Sequence, residues 1–242
     1  SAAFIVGGTT LHSFAGVGIE SNNLELMMKR ANNSKSRENW RSVDILIIDE
    51  ISMVSARFLD NLSSITMEIR GNKSPMGGIR MIIFGDFLQL PPVSSSQESK
   101  GARTKKEFES TVWKKLNMSC ITMIVSNRQT DPEFSLYLNR IRMGECDKKL
   151  EAYMKELQNT KFEDNGVEPV YMYSLRSSVA SLNEEKLREL KGEERVLESE
   201  DTGKLEALKH CPALRELRLK IGAQVMLLRN LDDKLVNGSV GR

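Results

Sequence analysis

Two carboxylates follow directly on an apolar run in the stretch Asp44 to Glu50, DILIIDE. A continuous apolar run is typical of a parallel strand buried on both faces, and ligands bind beyond the carboxyl ends of such strands. Asp49 at that position could hold Mg²⁺, and Glu50 could orient or deprotonate an attacking water for phosphoryl transfer. The alternative is an acid pair that ends a strand and caps the next helix, and this stretch alone favours neither interpretation.

A second apolar run, Ile79 to Phe84, leads into Gly85 to Pro92, GDFLQLPP. If the two runs are neighbouring strands, then Asp49, Glu50, Asp86 and Gln89 point into one crevice at the carboxyl edge of the sheet. The Gln89 amide could donate to a γ-phosphate oxygen without adding negative charge. Taken alone, Gln89 is more typical of an exposed loop amide, so its assignment depends on the neighbouring acids.

The phosphate-binding loop that such a site needs, G-x-x-x-x-G-K-[ST], is absent from the sequence. The nearest string, Thr202 to Leu205, has Leu in place of the hydroxyl residue, and the Gly-rich segment Val6 to Gly16 has no Lys. We therefore expect the phosphate loop to precede Ser1 in a longer protein.

The hydrophobic pattern predicts strands alternating with helices, and hence a mainly parallel sheet covered on both faces. The predicted strands are Ile45–Ile48, Met81–Phe84, Ile121–Val125, Val170–Tyr173 and Val225–Leu228. The predicted helices carry apolar stripes at Phe58, Leu59, Leu62, Ile65 and Ile69, at Phe134, Leu138 and Ile141, and at Leu182, Leu187 and Leu190.

The amino-acid composition narrows the possible classes of protein. The 242 residues are 40% apolar and 28% charged with a net charge of +2, and no run approaches the roughly 18 apolar residues of a membrane span. Neither a targeting segment nor polyanion binding by bulk charge is indicated. Cys120, Cys146 and Cys211 are odd in number and widely spaced, which favours a reduced compartment and excludes a structural zinc motif.

Two polar stretches, residues 94–106 and 193–204, are predicted to be exposed loops. The polar stretch 94–106 predicts a domain boundary soon after it, near Leu116. An Asn-Gly pair within Leu235 to Val240 predicts a hairpin.

Taken together, these strings resemble consecutive motifs of the petite integration frequency (PIF) family of superfamily-one DNA helicases. The matching segments, in family order, are residues 7–16, 47–54, 75–93, 108–116, 127–144, 174–190 and 221–241. The resemblance covers nearly the whole chain. Met76 and Asn127 depart from it, because the family usually has Phe and an aromatic residue at these positions.

The resemblance implies two RecA-like domains, both incomplete in this chain. Residues 1–116 would form the first, with a small basic insertion at about 20–41, and residues 117–242 the second, ending at the entrance to an inserted SH3-like barrel. ATP and Mg²⁺ would bind between the domains. Asp49 would hold the metal, Glu50 would be the catalytic base, Gln89 would contact the γ-phosphate, and Arg128 would act as an arginine finger.

The resemblance also implies an intracellular enzyme, nuclear or mitochondrial in a eukaryote, that moves 5′ to 3′ along single-stranded DNA as a monomer. Its substrates would be single-strand/duplex junctions and G-quadruplex DNA. Thr10 and His12 resemble phosphate contacts of a strand-gripping motif, although His12 could instead be a buried core imidazole. The basic insertion, which contains Trp40, could be a DNA-facing arm or simply a solvated face.

Two other functions stay open at the level of sequence. A RecD-like recombination or conjugation helicase shares this core. A catalytically degenerate core that binds DNA or a partner without ATP turnover is the alternative from a different class.

Overall fold

The computed structural model describes residues 6–18, 23–92, 106–160, 168–202, 213–229, 231–232 and 234–242. The chain divides into two units, residues 2–158 and 159–242. This division does not test the predicted boundary between RecA-like domains near Leu116, which stays a prediction. The predicted loop at 94–106 lies outside the described residues except for Lys106.

The unit of residues 2–158 is built mainly of helices around a pair of strands. Its α-helices are α1 (Leu11–Ala15), α2 (Leu24–Ala31), α3 (Ser34–Ser42), α4 (Ala56–Arg70), α5 (Thr111–Leu116), α6 (Pro132–Arg142) and α7 (Lys148–Leu157). Its strands are β1 (Ile45–Ile48) and β2 (Arg80–Ile83), and short 3₁₀ helices cover Ile51–Met53, Pro75–Gly78 and Glu107–Glu109.

The two strands form a parallel pair in which Ile45 faces Arg80 and Ile48 faces Ile83. Both strands, and their neighbourhood in one sheet, were predicted from the apolar runs. The mixed α/β class with parallel strands is thereby confirmed.

Helix α4 begins and ends where its sequence dictates. The Ser55 hydroxyl accepts from the amide of Phe58 at the N-terminus, and Gly71 ends the helix in the left-handed conformation at φ 62°. Its predicted apolar stripe is buried except for Ile69, which is half-buried, and Leu59 and Leu62 are both 0% exposed. Burial of this stripe makes α4 the central helix of the core.

The core of this unit joins α1 to α5 with both strands. Its buried members are Ala15, Val17, Met27, Ala31, Trp40, Leu46, Ile48, Ile51, Phe58, Leu59, Leu62, Ile65, Met76, Ile79 and Val112. Met76 is 0% exposed, so the residue that replaces the family's usual Phe fills a core position.

Helix α6 was also predicted, but its buried residue is not one of the predicted stripe. Tyr137 is 3% exposed, whereas Leu138 and Ile141 are 36% and 43% exposed. Tyr137 packs on Tyr153 of α7 with ring centroids 4.4 Å apart.

The described residues of the unit 159–242 include α8 (Arg176–Glu189) and four short strands, β3 (Arg195–Glu198), β4 (Glu216–Leu219), β5 (Val225–Met226) and β6 (Val240–Gly241). Strand β3 pairs antiparallel with β4, and β5 pairs antiparallel with β6. The predicted α8 stripe lies on one half-buried face. Within the polar stretch 193–204, residues 195–198 form an exposed strand and not a loop.

Two predicted strands are wrong. Residues 121–125 and 170–173 have no regular secondary structure, and Ile124 and Met172 are 90% and 94% exposed. A buried strand needs neighbours for its backbone groups, and the described residues supply none to these runs.

The predicted turn at Asn237-Gly238 is confirmed, but the hairpin around it is different. The amide of Ser239 donates to the carbonyl of Val236 at 2.9 Å, and Gly238 has φ 94° while Asn237 has no positive φ. A two-residue hairpin turn of type I′ needs positive φ at both positions. This turn is not of that type, and β6 pairs with β5.

In the part of the chain that the structure describes, no helix combines the length and apolarity needed to cross a membrane.

Arg70, the last residue of α4, joins three segments of the core unit. Its Nε donates to the carbonyl of Gly77 at 2.9 Å, and its Nη1 donates to the carbonyls of Trp40 and Val43 at 2.7 and 3.0 Å. These bonds connect the end of α4 to the 3₁₀ segment before β2 and to the chain between α3 and β1.

We expect Arg70→Lys to destabilise the fold by about 2 kcal/mol, because a lysine ammonium cannot reproduce the fork of guanidinium donors. The free energy of unfolding in urea measures this change. Arg57→Lys, at an exposed position of the same helix, should stay within about 0.5 kcal/mol of wild type. Equal effects of the two substitutions would contradict the assigned role of Arg70.

Candidate functional site at the carboxyl ends of the parallel strands

The chain segments that leave β1 and β2 stay hydrogen-bonded to each other beyond the strands. The amide of Phe84 donates to the carbonyl of Ile48 at 2.8 Å, and the amide of Ile51 donates to the carbonyl of Phe84 at 3.1 Å. A Cβ added at Gly85 would lie 2.7 Å from Ile51 Cγ2. Glycine therefore permits the close approach of the two segments.

Asp49 and Glu50 lie in the first of these segments, and both are exposed. One Asp49 carboxylate oxygen accepts from the amide of Glu50 at 2.9 Å. Glu50 has a left-handed backbone, with φ 54° and ψ 46°, which is costly for a residue with a side chain and tends to occur at functional sites. Sequence reasoning gave no sign of this strain.

Asp86 and Gln89 lie in the second segment. The Asp86 carboxylate accepts from the amide of Leu88 at 3.1 Å and from the Gln89 side-chain amide at 3.2 Å. The amide of Gln89 also donates to the carbonyl of Asp86 at 3.0 Å. The backbone thus brings the two predicted pairs to one edge of the sheet, as the sequence predicted, and the chemical roles of the side chains stay predictions.

Arg142 is a partner of this segment that the sequence analysis missed. Its Nε and Nη2 donate to the two carboxylate oxygens of Asp86 at 2.5 and 2.7 Å. This ion pair lowers the pKa of Asp86 to about 2, mainly through the hydrogen bond from Arg142. No motif marks a contact between residues this far apart in sequence.

Arg128, the predicted arginine finger, lies exposed in the irregular chain before α6. Within the described residues, no hydrogen bond or ion pair joins it to Asp49, Glu50 or Gln89. Its role in hydrolysis stays a prediction.

Thr10 and His12 lie at α1. Thr10 is exposed, and its hydroxyl caps the helix by accepting from the amide of Ser13 at 3.3 Å. His12 is half-buried against Phe58, with ring centroids 4.5 Å apart, and burial lowers its pKa. Burial thus favours the neutral form of the imidazole in the absence of DNA.

The predicted DNA-facing arm contains residues that cannot contact DNA because they are buried, Trp40 among them. Trp40 is 0% exposed and packs edge-on against Phe14 with ring centroids 4.9 Å apart. Helical spacing places Trp40 and Ala31 in the core although basic residues flank them. Arg30 and Arg41 donate to backbone carbonyls of Val17 and Ile69, and whether the basic face meets DNA stays a prediction.

The donor set fits a magnesium ion that arrives with a nucleotide. Such an ion keeps several waters and takes only one or two protein carboxylates beside the phosphates. Asp49 has a carboxylate oxygen beyond the one that accepts from Glu50. The use of Glu50 as a proton acceptor and of Gln89 as an amide donor in phosphoryl transfer to water stays a prediction.

The parallel strand pair, with carboxylates and an amide beyond its carboxyl end, belongs to the mixed α/β class, which includes the RecA-like domains that the sequence predicts. A family model for PIF1-like helicases matches residues 1–152, and a model for the 2B domain of DNA helicase Pif1 matches residues 205–242. The chain belongs to the PIF1-like helicase family.

Curated relatives named ATP-dependent DNA helicase PIF1 match the whole chain. The protein from Saccharomyces cerevisiae (strain YJM789) is 38% identical over 250 residues, which is 100% of this chain and 29% of the relative. The protein from Danio rerio is 39% identical over 245 residues, which is 99% of this chain and 38% of the relative. The chain therefore spans about a third of the length of these relatives.

Solved structures of Pif1 helicases share the fold. The Candida albicans enzyme superimposes with a TM-score of 0.87 at 36% identity, covering 99% of this chain and 55% of that one. A Bacteroides Pif1 in complex with ADP-AlF3 and single-stranded DNA gives a TM-score of 0.72 at 28% identity, covering 99% of this chain and 57% of that one.

The low pKa of Asp86 gives a testable pH dependence. A depressed carboxyl pKa means that the ion pair stabilises the fold fully above the unfolded value near 4 and loses this effect as the pH falls through about 2. NMR titration of the Asp86 carboxyl carbon should give a midpoint of about 2. In Arg142→Gln the midpoint should rise towards the ordinary value, and an unchanged midpoint would refute the pairing.

Proposed function

We propose that this chain is the central part of an ATP-dependent DNA helicase that moves 5′ to 3′ along single-stranded DNA. The observation that carries the proposal is the register of β1 and β2, which brings Asp49 and Glu50 beside the segment of Asp86 and Gln89 in a chain of the PIF1-like family. The named activity of the relatives supports it.

In this proposal each site residue has a different role in ATP hydrolysis. Asp49 would hold Mg²⁺, which would neutralise negative charge on the phosphates. Glu50 accepts the proton of the attacking water, and Gln89 donates to a γ-phosphate oxygen. Arg128 neutralises charge that develops in the transition state.

DNA binding in the proposal is independent of sequence. Thr10 and His12 contact phosphates, which position a strand without specifying its bases. Pif1 structures bound to single-stranded and forked double-stranded DNA support these partners. We extend the proposal to junctions and G-quadruplexes as substrates, to a monomeric enzyme, and to a nuclear or mitochondrial location in a eukaryote.

We expect Glu50→Gln in the complete protein to lower DNA-stimulated ATP hydrolysis at least 100-fold, because an amide cannot accept the proton. Steady-state ATPase rates with saturating single-stranded DNA measure this, and affinity for the DNA should stay within twofold.

The matched control for this substitution is Glu68→Gln, at an exposed position of α4, which should hydrolyse ATP at the wild-type rate. Wild-type turnover by the Glu50 variant would contradict the assignment of Glu50 as the catalytic base. Loss of turnover in both variants would point to a general effect of removing a carboxylate.

We expect Thr10→Val to weaken binding of single-stranded DNA about threefold to tenfold, equally for different base sequences, because the hydroxyl that contacts phosphate is lost. The salt dependence of the affinity should keep its slope, since a neutral contact releases no counterion. Fluorescence anisotropy at several salt concentrations measures both quantities. Thr10→Ser keeps the hydroxyl and should bind as wild type, and equal weakening in both variants would contradict the phosphate contact.

A further inference from the structure

Asp86 is the meeting point of four hydrogen bonds at the candidate site. Arg142 supplies two of them in a bidentate pair at 2.5 and 2.7 Å. The amide of Leu88 and the side-chain amide of Gln89 supply the other two, at 3.1 and 3.2 Å. The Asp86 side chain is 18% exposed and that of Arg142 is 43% exposed, so the pair lies at the protein surface while its acidic member is largely enclosed.

The bond from Gln89 to Asp86 restricts the orientation of the Gln89 amide. A carboxamide nitrogen carries two N–H donors, and one of them is directed at Asp86 Oδ2. Because Gln89 is exposed, its second N–H is available to an incoming phosphate oxygen. Asp86 therefore limits the rotation of the amide without using up its donor capacity.

Arg142 in turn fixes Asp86. A bidentate guanidinium–carboxylate pair defines the plane of the carboxylate as well as its position. Without Arg142, the Asp86 carboxylate would be held only by donors from its own loop, Leu88 and Gln89. The guanidinium is thus the one external support among the described contacts of this carboxylate.

The position of Arg142 connects this support to the rest of the site. Arg142 is the last residue of α6, and Asp131 caps the other end of the same helix. Arg128 lies three residues before that cap. Helix α6 therefore begins shortly after Arg128, the predicted arginine finger. Its last residue, Arg142, contacts Asp86, the carboxylate that orients Gln89.

We propose that Arg142 is a positioning residue for ATP hydrolysis, which acts by holding Asp86 and, through Asp86, the phosphate-sensing amide of Gln89. The proposal rests on the proposed function. It adds a link in which a shift of α6 changes the orientation of Gln89.

A double-mutant cycle in the complete protein tests this link. Arg142→Gln should lower kcat for DNA-stimulated ATP hydrolysis about tenfold, because a misdirected amide no longer meets the transferring phosphate. KM for ATP should change less than twofold. In a Gln89→Ala background, which itself should lose at least tenfold in kcat, Arg142→Gln should cause no further decrease, because it acts only through Gln89.

The matched control is Arg140→Gln on the same helix. Arg140 pairs with Glu145 and Asp147 at 3.3 and 2.8 Å, so it is an ion-paired arginine of α6 without a contact to the Asp86 loop. Its removal should leave kcat within twofold of wild type. Arg142→Lys, which keeps the charge but not the bidentate geometry, should have a kcat between those of wild type and Arg142→Gln.

The outcomes separate this inference from the proposed function. Wild-type kcat in Arg142→Gln, or equal factors of loss with and without Gln89, overturns the positioning role. Wild-type turnover of Gln89→Ala overturns the proposed use of Gln89, and with it the route assigned to Arg142. If Arg142→Gln does not fold, the cycle is run with Arg142→Lys, for which the same non-additivity is expected.

Discussion

The site depends on the parallel pairing of β1 with β2. Successive side chains of a strand point to opposite faces, so a slip of one residue would exchange the buried and exposed sets and displace every group beyond the strand ends. Leu46 and Ile48 are 7% and 4% exposed, and their burial in the core opposes such a slip. The burial of these two residues in the core thus fixes the positions of the segments that carry Asp49 and Gln89.

Beyond the strands, the acids differ in how they are bound. Asp86 is satisfied by Arg142 and by its own loop, and its pKa is about 2, so it stays ionised and serves as a fixed acceptor. Asp49 and Glu50 are exposed, and they remain available to a metal and to water. Carboxylates at one edge of a sheet can therefore differ in whether the protein has already bound them.

The sequence predicted those parts of the fold that depend on local pattern. The strands predicted at 45–48 and 81–84 are found at 45–48 and 80–83. The stripe of α4 and the turn at Asn237-Gly238 are present, and the groups beyond the first two strands share one edge. The runs at 121–125 and 170–173 have the same composition but lack the neighbours that a strand requires. Apolar pattern indicates a tendency to be buried and does not say what will cover it.

Contacts formed only by tertiary folding could not be predicted in this way. Arg142 reaches Asp86 across 56 positions, and both residues are of types that are usually solvated. Trp40 was assigned to a possible DNA-facing arm because its sequence neighbours are basic. Its side chain, on α3, faces the core. The left-handed backbone of Glu50, next to the hydrogen bond between Ile51 and Phe84, likewise has no signature in residue type.

The apolar surface that remains uncovered bears on how the polypeptide behaves when produced alone. Ile47 and Phe84 are 62% and 45% exposed, and Ile121 and Ile124 are 87% and 90% exposed. Strand edges and apolar patches of this kind pair with further copies in concentrated solution. We therefore expect a recombinant protein limited to these 242 residues to be prone to aggregation at high concentration.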